Sequence, residues 1–136
     1  MCMVMASLHI PQVPRGAGKV CLLGGGETTC IVKGKGKGGR NQVVALVAGM
    51  ELSNAGVLDT VVLSGGTDGQ DGPTDAAGGF GDGLLEARCK AAGVVAKAAL
   101  EDSDSYTLLC AVGDILKTGL TATNVMDVQC VLVNRE

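Results

Sequence analysis

Between Ser64 and Gly78 the chain reads Ser-Gly-Gly-Thr-Asp-Gly-Gln-Asp-Gly-Pro-Thr-Asp-Ala-Ala-Gly, so three carboxylates, Asp68, Asp71 and Asp75, share one glycine-rich stretch. Hydroxyls at Ser64, Thr67 and Thr74 stand among them. Asp68 and Asp71 are three apart rather than alternating, which excludes an EF-hand loop. Mg²⁺ held by one or two carboxylates together with substrate phosphates is open to them. The plainer reading is a solvated turn whose Asp and Thr residues cap the next helix.

A second polar stretch has the opposite sign. Gly34-Lys-Gly-Lys-Gly-Gly-Arg-Asn-Gln42 gathers Lys35, Lys37 and Arg40, with Lys33 just before it. An extended backbone would project Lys33, Lys35 and Lys37 on one side. The N–H groups of Gly38, Gly39 and Asn41 lie at the start of an apolar helical run, and a helix N-terminus attracts anions. Arg40 adds a planar fork suited to carboxylate or phosphate. Gly34, Gly36 and Gly39 also satisfy G-x-G-x-x-G. The acidic residue at the expected interval, Asp59, precedes its strand instead of following it, so a dinucleotide fold is disfavoured. No Gly-Lys-Ser/Thr closes a Walker loop. A third polar turn, 118–127, carries Thr121, Thr123, Asn124 and Asp127. It can bind an anion or satisfy its own backbone, and the latter is the simpler expectation.

The elements that must position these loops follow from the apolar runs. Val20–Leu23 and Thr28–Lys33 read as strands parted by a turn at Gly24-Gly25-Gly26, hence antiparallel neighbours. A helix is expected over 40–53, a buried strand over 60–64, and helices over 82–92 and 94–101 split by Gly93. Ser103 or Asp104 reads as the cap of a further helix over 106–116, and 127–133 as a closing strand. This order predicts a single α/β domain, a mixed β-sheet with interleaved helices. Residues 1–17, with Pro11, Pro14 and Gly16, read as a linker or remnant of an upstream region, and 18–134 as the domain.

Composition bounds the function. A chain of 136 residues suits one domain with a real core, although Phe80 and Tyr106 are its only aromatics. Base-stacking nucleic-acid binding is therefore nearly excluded, and a net charge of −3 offers no basic field. Six cysteines form no C-x-x-C pair and His9 is the only histidine, so a structural zinc site is not expected. No apolar run reaches the length of a membrane span. A reduced, cytoplasmic protein is expected, with a mitochondrial one as the alternative because no acidic residue precedes Glu27.

Five stretches together carry a resemblance: Gly24–Thr29, Gly34–Gln42, Ser64–Gly78, Asp104-Ser-Tyr106 and Thr121–Asp127. In this order, across residues 18–134, they resemble the MOFRL domain, the C-terminal part of the glycerate 2-kinase family. Some members of that family carry the name hydroxypyruvate reductase. The resemblance implies ATP-dependent phosphorylation of D-glycerate to 2-phosphoglycerate with Mg²⁺, in a cleft shared with a larger N-terminal domain that bears a catalytic lysine. It implies that Arg40 is a catalytic or substrate-binding residue. Lys35, Lys37, Gly38, Gly39, Asn41, Thr67, Thr123 and Asn124 are then candidates for substrate or phosphate binding. Asp68 or Asp71 would orient Mg²⁺ or the attacking hydroxyl. Four positions differ from the family habit: Val43 for Glu, Ser103 for Asn, Ala122 for Gly, and Leu108-Leu109 for a Phe pair. Nothing in the sequence marks an adenine pocket, so the chain is expected to hold half a site and to be inactive alone. The alternatives are a reductase-type oxidoreductase domain and a non-catalytic interaction module. Met1, Met3, Val4, Met5, Leu8 and Ile10 are expected to add to an exposed surface that self-associates.

Overall fold

The computed structural model describes residues 18–134. The expected linker, His9 and the N-terminal apolar residues lie outside them. Among these residues five strands and four helices follow in the order β1 (Lys19–Gly26), α1 (Arg40–Asn54), β2 (Thr60–Gly66), β3 (Gly78–Asp82), α2 (Leu85–Ala92), α3 (Ala96–Glu101), α4 (Ser105–Val112), β4 (Ile115–Leu116) and β5 (Asp127–Asn134). The sheet order is β1-β5-β2-β3-β4. This is the α/β domain expected, with helices interleaved among the strands of one sheet. Every pairing in that sheet is antiparallel. Because β5 is antiparallel to both β1 and β2, those two strands run in the same direction. The β1-α1-β2 crossover therefore has the parallel sense its order suggests, and the last strand has entered between its arms.

Three local expectations are corrected by the packing. Gly24-Gly25-Gly26 is not a turn; it continues β1, opposite Gln129, Val128 and Asp127 of β5. A full-length neighbour on β5 offers ladder bonds that three flexible residues would not hold by propensity alone. Residues 28–33 consequently form no second strand, and the expected hairpin does not occur. The expected helix over 106–116 stops early. Gly113 takes a left-handed conformation (φ 80°) at the end of α4, and Ile115–Leu116 pair with β3.

Strand β3, Gly-Gly-Phe-Gly-Asp, is absent from the strands expected of the sequence, glycine being a poor strand former. Its glycines answer a packing demand. A Cβ on Gly81 would lie 2.7 Å from the Gly49 nitrogen, and one on Gly79 would lie 2.8 Å from Leu109 Cδ1. Helix α1 thus lies almost directly on the strand backbone. The core continues from there through Ala45, Leu46, Leu85, Cys89, Ala96, Leu108 and Leu109, all essentially buried. No helix among the described residues is long and apolar enough to cross a membrane.

Candidate functional site

Residues 33–39 form neither helix nor strand and bend at Gly34-Lys35, yet the lysines and glycines part as expected. Lys33, Lys35 and Lys37 are exposed while Gly34, Gly36 and Gly38 turn inward. The partner they turn toward is the segment between α3 and α4. The Lys33 N–H donates to Ser103 Oγ at 3.0 Å, Lys35 N–H to Asp102 Oδ1 at 3.2 Å, and Lys37 N–H to Asp104 Oδ1 at 2.9 Å. Gly36 N–H reaches the Asp102 carbonyl at 2.9 Å, and Tyr106 N–H reaches the Lys37 carbonyl at 2.9 Å. Asp104 does occupy the N-cap position of α4, but its side chain makes no capping bond there. It accepts from Lys37 N–H and from the Thr107 hydroxyl at 2.7 Å. The acidic run thus holds the basic loop's backbone and leaves the ammonium groups outside.

The N-terminus of α1 already has its anion. Asp71 is 1% exposed. Its Oδ1 accepts from Asn41 N–H at 3.1 Å and Asn41 Nδ2 at 3.3 Å; its Oδ2 accepts from Gln42 N–H at 2.9 Å and Gln42 Nε2 at 2.9 Å. A carboxylate from a distant loop therefore caps the helix where no local side chain does. Gly39 makes room for it, since a Cβ there would overlap the Asp71 carboxyl group. The N–H groups of Gly38, Gly39 and Arg40 have no partner among the described residues.

Arg40, the first residue of α1, points toward the start of β5. Its Nε donates to Asp127 Oδ2 at 2.7 Å and its Nη2 to Asp127 Oδ1 at 2.9 Å, a bidentate pair. Asn41 Nδ2 adds a bond to Asp127 Oδ1 at 2.9 Å, and Asn41 Oδ1 accepts from the buried Ser64 hydroxyl at 2.6 Å. Glu27 approaches Arg40 Nη2 at 3.6 Å. Asp127 is 1% exposed. Burial alone would raise its carboxyl, but the Arg40 fork and the Asn41 amide outweigh burial and hold it below the ordinary range. The same bond raises Arg40 further above its already high value. The Arg40 side chain keeps 33% exposure, and no bond among the described residues engages Nη1. The outcome is a guanidinium fixed through Nε and Nη2, with Nη1 left open among the described residues.

The polar turn closes over the acidic loop. Thr67 Oγ1 donates to the Met126 carbonyl at 2.8 Å and accepts from Val125 N–H at 2.8 Å. The Thr121 hydroxyl donates to the Thr67 carbonyl. Asp68 is half-buried; its Oδ1 accepts from Gln70 N–H at 3.1 Å and its Oδ2 from Asn124 Nδ2 at 3.2 Å. Thr67 and Asn124 thus tie the two loops together. Thr123 is exposed, and its hydroxyl has no partner among the described residues.

One cluster escaped the sequence reading of site residues. The Tyr106 hydroxyl donates to Asp75 Oδ1 at 2.6 Å, and Lys117 Nζ donates to Asp75 Oδ2 at 2.9 Å and to the Tyr106 oxygen at 3.1 Å. Lys37 Nζ lies 4.9 Å from the Tyr106 ring centre. Hydrogen bonds from Tyr106 and then Lys117 lower the Asp75 carboxyl. Nothing local could have paired these residues, because Lys117 lies 42 positions from Asp75.

The match that decides the chain's kinship spans residues 20–127, from β1 to the first residue of β5, and it is to the model of the MOFRL family. The chain belongs to the MOFRL family. Among curated relatives, this MOFRL chain is 44% identical over 137 residues to a glycerate kinase of Danio rerio, covering 98% of this chain and 27% of that protein. It is 49% identical over 106 residues to the D-glycerate 2-kinase of Thermotoga maritima, covering 78% of this chain and 25% of that protein. Two solved structures share the MOFRL fold. Thermotoga maritima glycerate kinase superposes with a TM-score of 0.79 at 47% identity, covering 83% of this chain and 27% of that one. A Pyrococcus horikoshii protein gives 0.78 at 41% identity, covering 85% and 26%. The MOFRL chain thus spans about a quarter of the length of the relatives it matches.

Within this MOFRL domain the residues marked in the sequence divide into groups. Lys35, Lys37, Gly38, Gly39 and Arg40 follow one another in a basic corner where the lysines are exposed, Gly39 is buried and Arg40 is half-buried against Asp127. Asn41 is fully buried and links Asp71, Asp127 and Ser64. Asp71 offers no free oxygen to solvent. Its four donors occupy both oxygens. Among the described residues no three His, Cys, Asp or Glu side chains converge as a metal cage. Beside the basic corner lies a cavity of about 380 Å³, bordered by Gly38 and Gly39 and walled by Ile31, Val43, Met50 and Leu100. Its size is within the range of small-ligand sites.

Proposed function

We propose that this chain forms one wall of the site of a glycerate 2-kinase, in which a phosphoryl group passes from ATP to the 2-hydroxyl of D-glycerate. The rest of that site is contributed by an N-terminal domain. The observation that carries this reading is the fixing of Arg40 by buried Asp127 with its Nη1 edge left open. Beside it stand the unpartnered N–H groups of Gly38, Gly39 and Arg40 and the exposed Lys35 and Lys37. In phosphoryl transfer the protein mainly positions the reactants and neutralises charge on the moving group. A guanidinium already oriented loses little freedom when it meets a carboxylate or phosphate. Arg40 clamps that anion, while Lys35 and Lys37 add weaker electrostatic support. Asp68 orients either the attacking hydroxyl or Mg²⁺, which would neutralise phosphate charge when bound. Asp71, Asn41 and Asp127 set the geometry from below. Thr67 and Asn124 hold the loops, and Thr123 offers a free hydroxyl.

The reductase alternative gains nothing from the glycine motif. A dinucleotide pyrophosphate would sit at the α1 N-terminus. There the Asn41 and Gln42 N–H groups are engaged by Asp71.

The test joins this chain to the remaining portion of a relative and follows ATP consumption and NADH oxidation separately. Phosphoglycerate formation without NADH oxidation is expected. Arg40→Ala should lower kcat/KM by about 10²-fold, on the order of 3 kcal/mol, with partial rescue by free guanidinium ion. Because that variant leaves Asp127 without its cation, thermal unfolding is measured alongside. Unchanged kinetics in a folded Arg40→Ala variant would remove Arg40 from the site. The chain alone, given ATP, Mg²⁺ and D-glycerate, should bind anions weakly and form no product.

A further inference from the structure

Two cysteines from opposite ends of the domain meet on the sheet face turned away from α1. Ser64 and Asp127 point toward the helix through their bonds to Asn41 and Arg40, so their strand neighbours point away. On that outer face, β1 and β5 bring Cys21 and Cys130 together, with Sγ atoms 3.6 Å apart. Cys21 pairs with Leu132 and Cys130 with Leu23, so the two thiols lie on a diagonal of the antiparallel ladder. Cys21 is exposed and Cys130 half-buried, and neither belongs to a disulfide. Neither takes part in the site built around Arg40.

We propose that Cys21 and Cys130 are a reversible modification site, a dithiol that closes to a disulfide by exchange with a small-molecule disulfide. The exposed Cys21 thiolate attacks one sulfur of the external disulfide. A mixed disulfide forms on Cys21, and one external thiolate leaves. The Cys130 thiolate then attacks the Cys21 sulfur and expels the second external thiolate. Both protein thiols lose their protons, the protein loses two electrons, and the small disulfide becomes two thiols. A disulfide needs the sulfurs about 2.05 Å apart, so they must close by roughly 1.5 Å. Diagonal pairs in a flat ladder sit about 7–8 Å apart, just beyond the Cα separation that a disulfide usually spans, so closure also needs a small backbone shift. Strand twist shortens one diagonal, and here the side chains are already turned toward each other. Desolvation, followed by the Cys21 contact, raises the Cys130 thiol. That accords with the exposed Cys21 attacking first and Cys130 resolving.

The experiment uses the reduced 136-residue chain, incubated with oxidised and reduced glutathione at a series of ratios, then acid-quenched, alkylated and mapped by mass spectrometry. The expected product has lost two hydrogens and yields a linked Cys21–Cys130 peptide. Cys110, which is also exposed, carries a glutathione adduct instead. Cys130→Ser should accumulate the adduct on Cys21. Folding should favour the bridge over its formation in urea by at least about tenfold, or roughly 30 mV for a two-electron couple. The proposal is overturned if Cys21 and Cys130 carry separate adducts with no linked peptide. It also fails if they stay unmodified where Cys110 reacts, or if the bridge forms equally well in urea.

Discussion

Replacing Asp71 by Asn tests whether this carboxylate is scaffold or chemistry. The amide has the same shape but keeps only one acceptor, while its NH₂ group must face two donors. With Oδ1 retained toward Asn41, the new amine confronts the Gln42 N–H and Nε2, each of which now donates to Oδ2 at 2.9 Å. Two charge-assisted bonds are lost inside a site that is 1% exposed. At about 1.5–3 kcal/mol each, with about 0.3–1 kcal/mol more for the negative charge at a helix N-terminus, the loss after side-chain relaxation is about 3–5 kcal/mol. That is a large part of the roughly 5–15 kcal/mol that holds a small domain. Urea unfolding of the 136-residue chain, followed by far-ultraviolet circular dichroism, measures it. Asp68→Asn is the control: its carboxylate is half-buried, and the expected loss is below about 1 kcal/mol. An Asp71→Asn variant within about 0.5 kcal/mol of the parent, or one less affected than Asp68→Asn, would refute the scaffold assignment.

Asp127 titrates below the unfolded value of about 3.9, so its contribution to stability is present above about pH 4 and is lost as pH falls through the folded value. Asp127→Asn should therefore flatten part of the acid limb of the stability curve, as acid titration of both proteins by circular dichroism will show. Ser103 and Ala122 hold left-handed backbone at φ 58° and 59°, a region that Asn and Gly adopt more readily. Ser103→Asn and Ala122→Gly should each raise stability by about 0.5–1 kcal/mol, read as an increase in Tm. Gly81→Ala pushes a methyl to 2.7 Å from the Gly49 nitrogen and should lower stability by about 1–3 kcal/mol or more in urea unfolding. A loss under about 0.5 kcal/mol would mean that α1 lies further from β3 than described.

What was legible in the sequence follows the range of the interactions. Helix α1 shows as a long apolar run, and β2 and β5 as buried strands, because local pattern carries that information. The alternation of lysine and glycine over 33–38 was legible for the same reason. Strand β3 was not, since its glycines answer the backbone of a helix elsewhere in the chain. The strand expected over 28–33 failed because β1 takes its partner from the far terminus. The carboxylates show the limit most plainly. Asp68 and Asp71 are equivalent in sequence, and only the arrival of α1 separates them, burying one under four donors and leaving the other half-exposed at a loop junction.

The same long-range logic ties the basic corner to the sheet. Arg40 opens α1, near the start of the domain, while the carboxylate that aims it begins β5, 87 residues later. Strand β5 lies between β1 and β2, so Asp127 reaches Arg40 only after the sheet has closed around its last strand. Its first residue also pairs with Gly26 on one side and Gly66 on the other. Those are the ends of the strands that launch the Gly24–Thr29 stretch and the acidic loop. Three motifs far apart in sequence therefore converge on one end of a single central strand. The arginine fork cannot be set before the sheet is complete, which makes the orientation of the proposed anion clamp a product of the whole domain's folding.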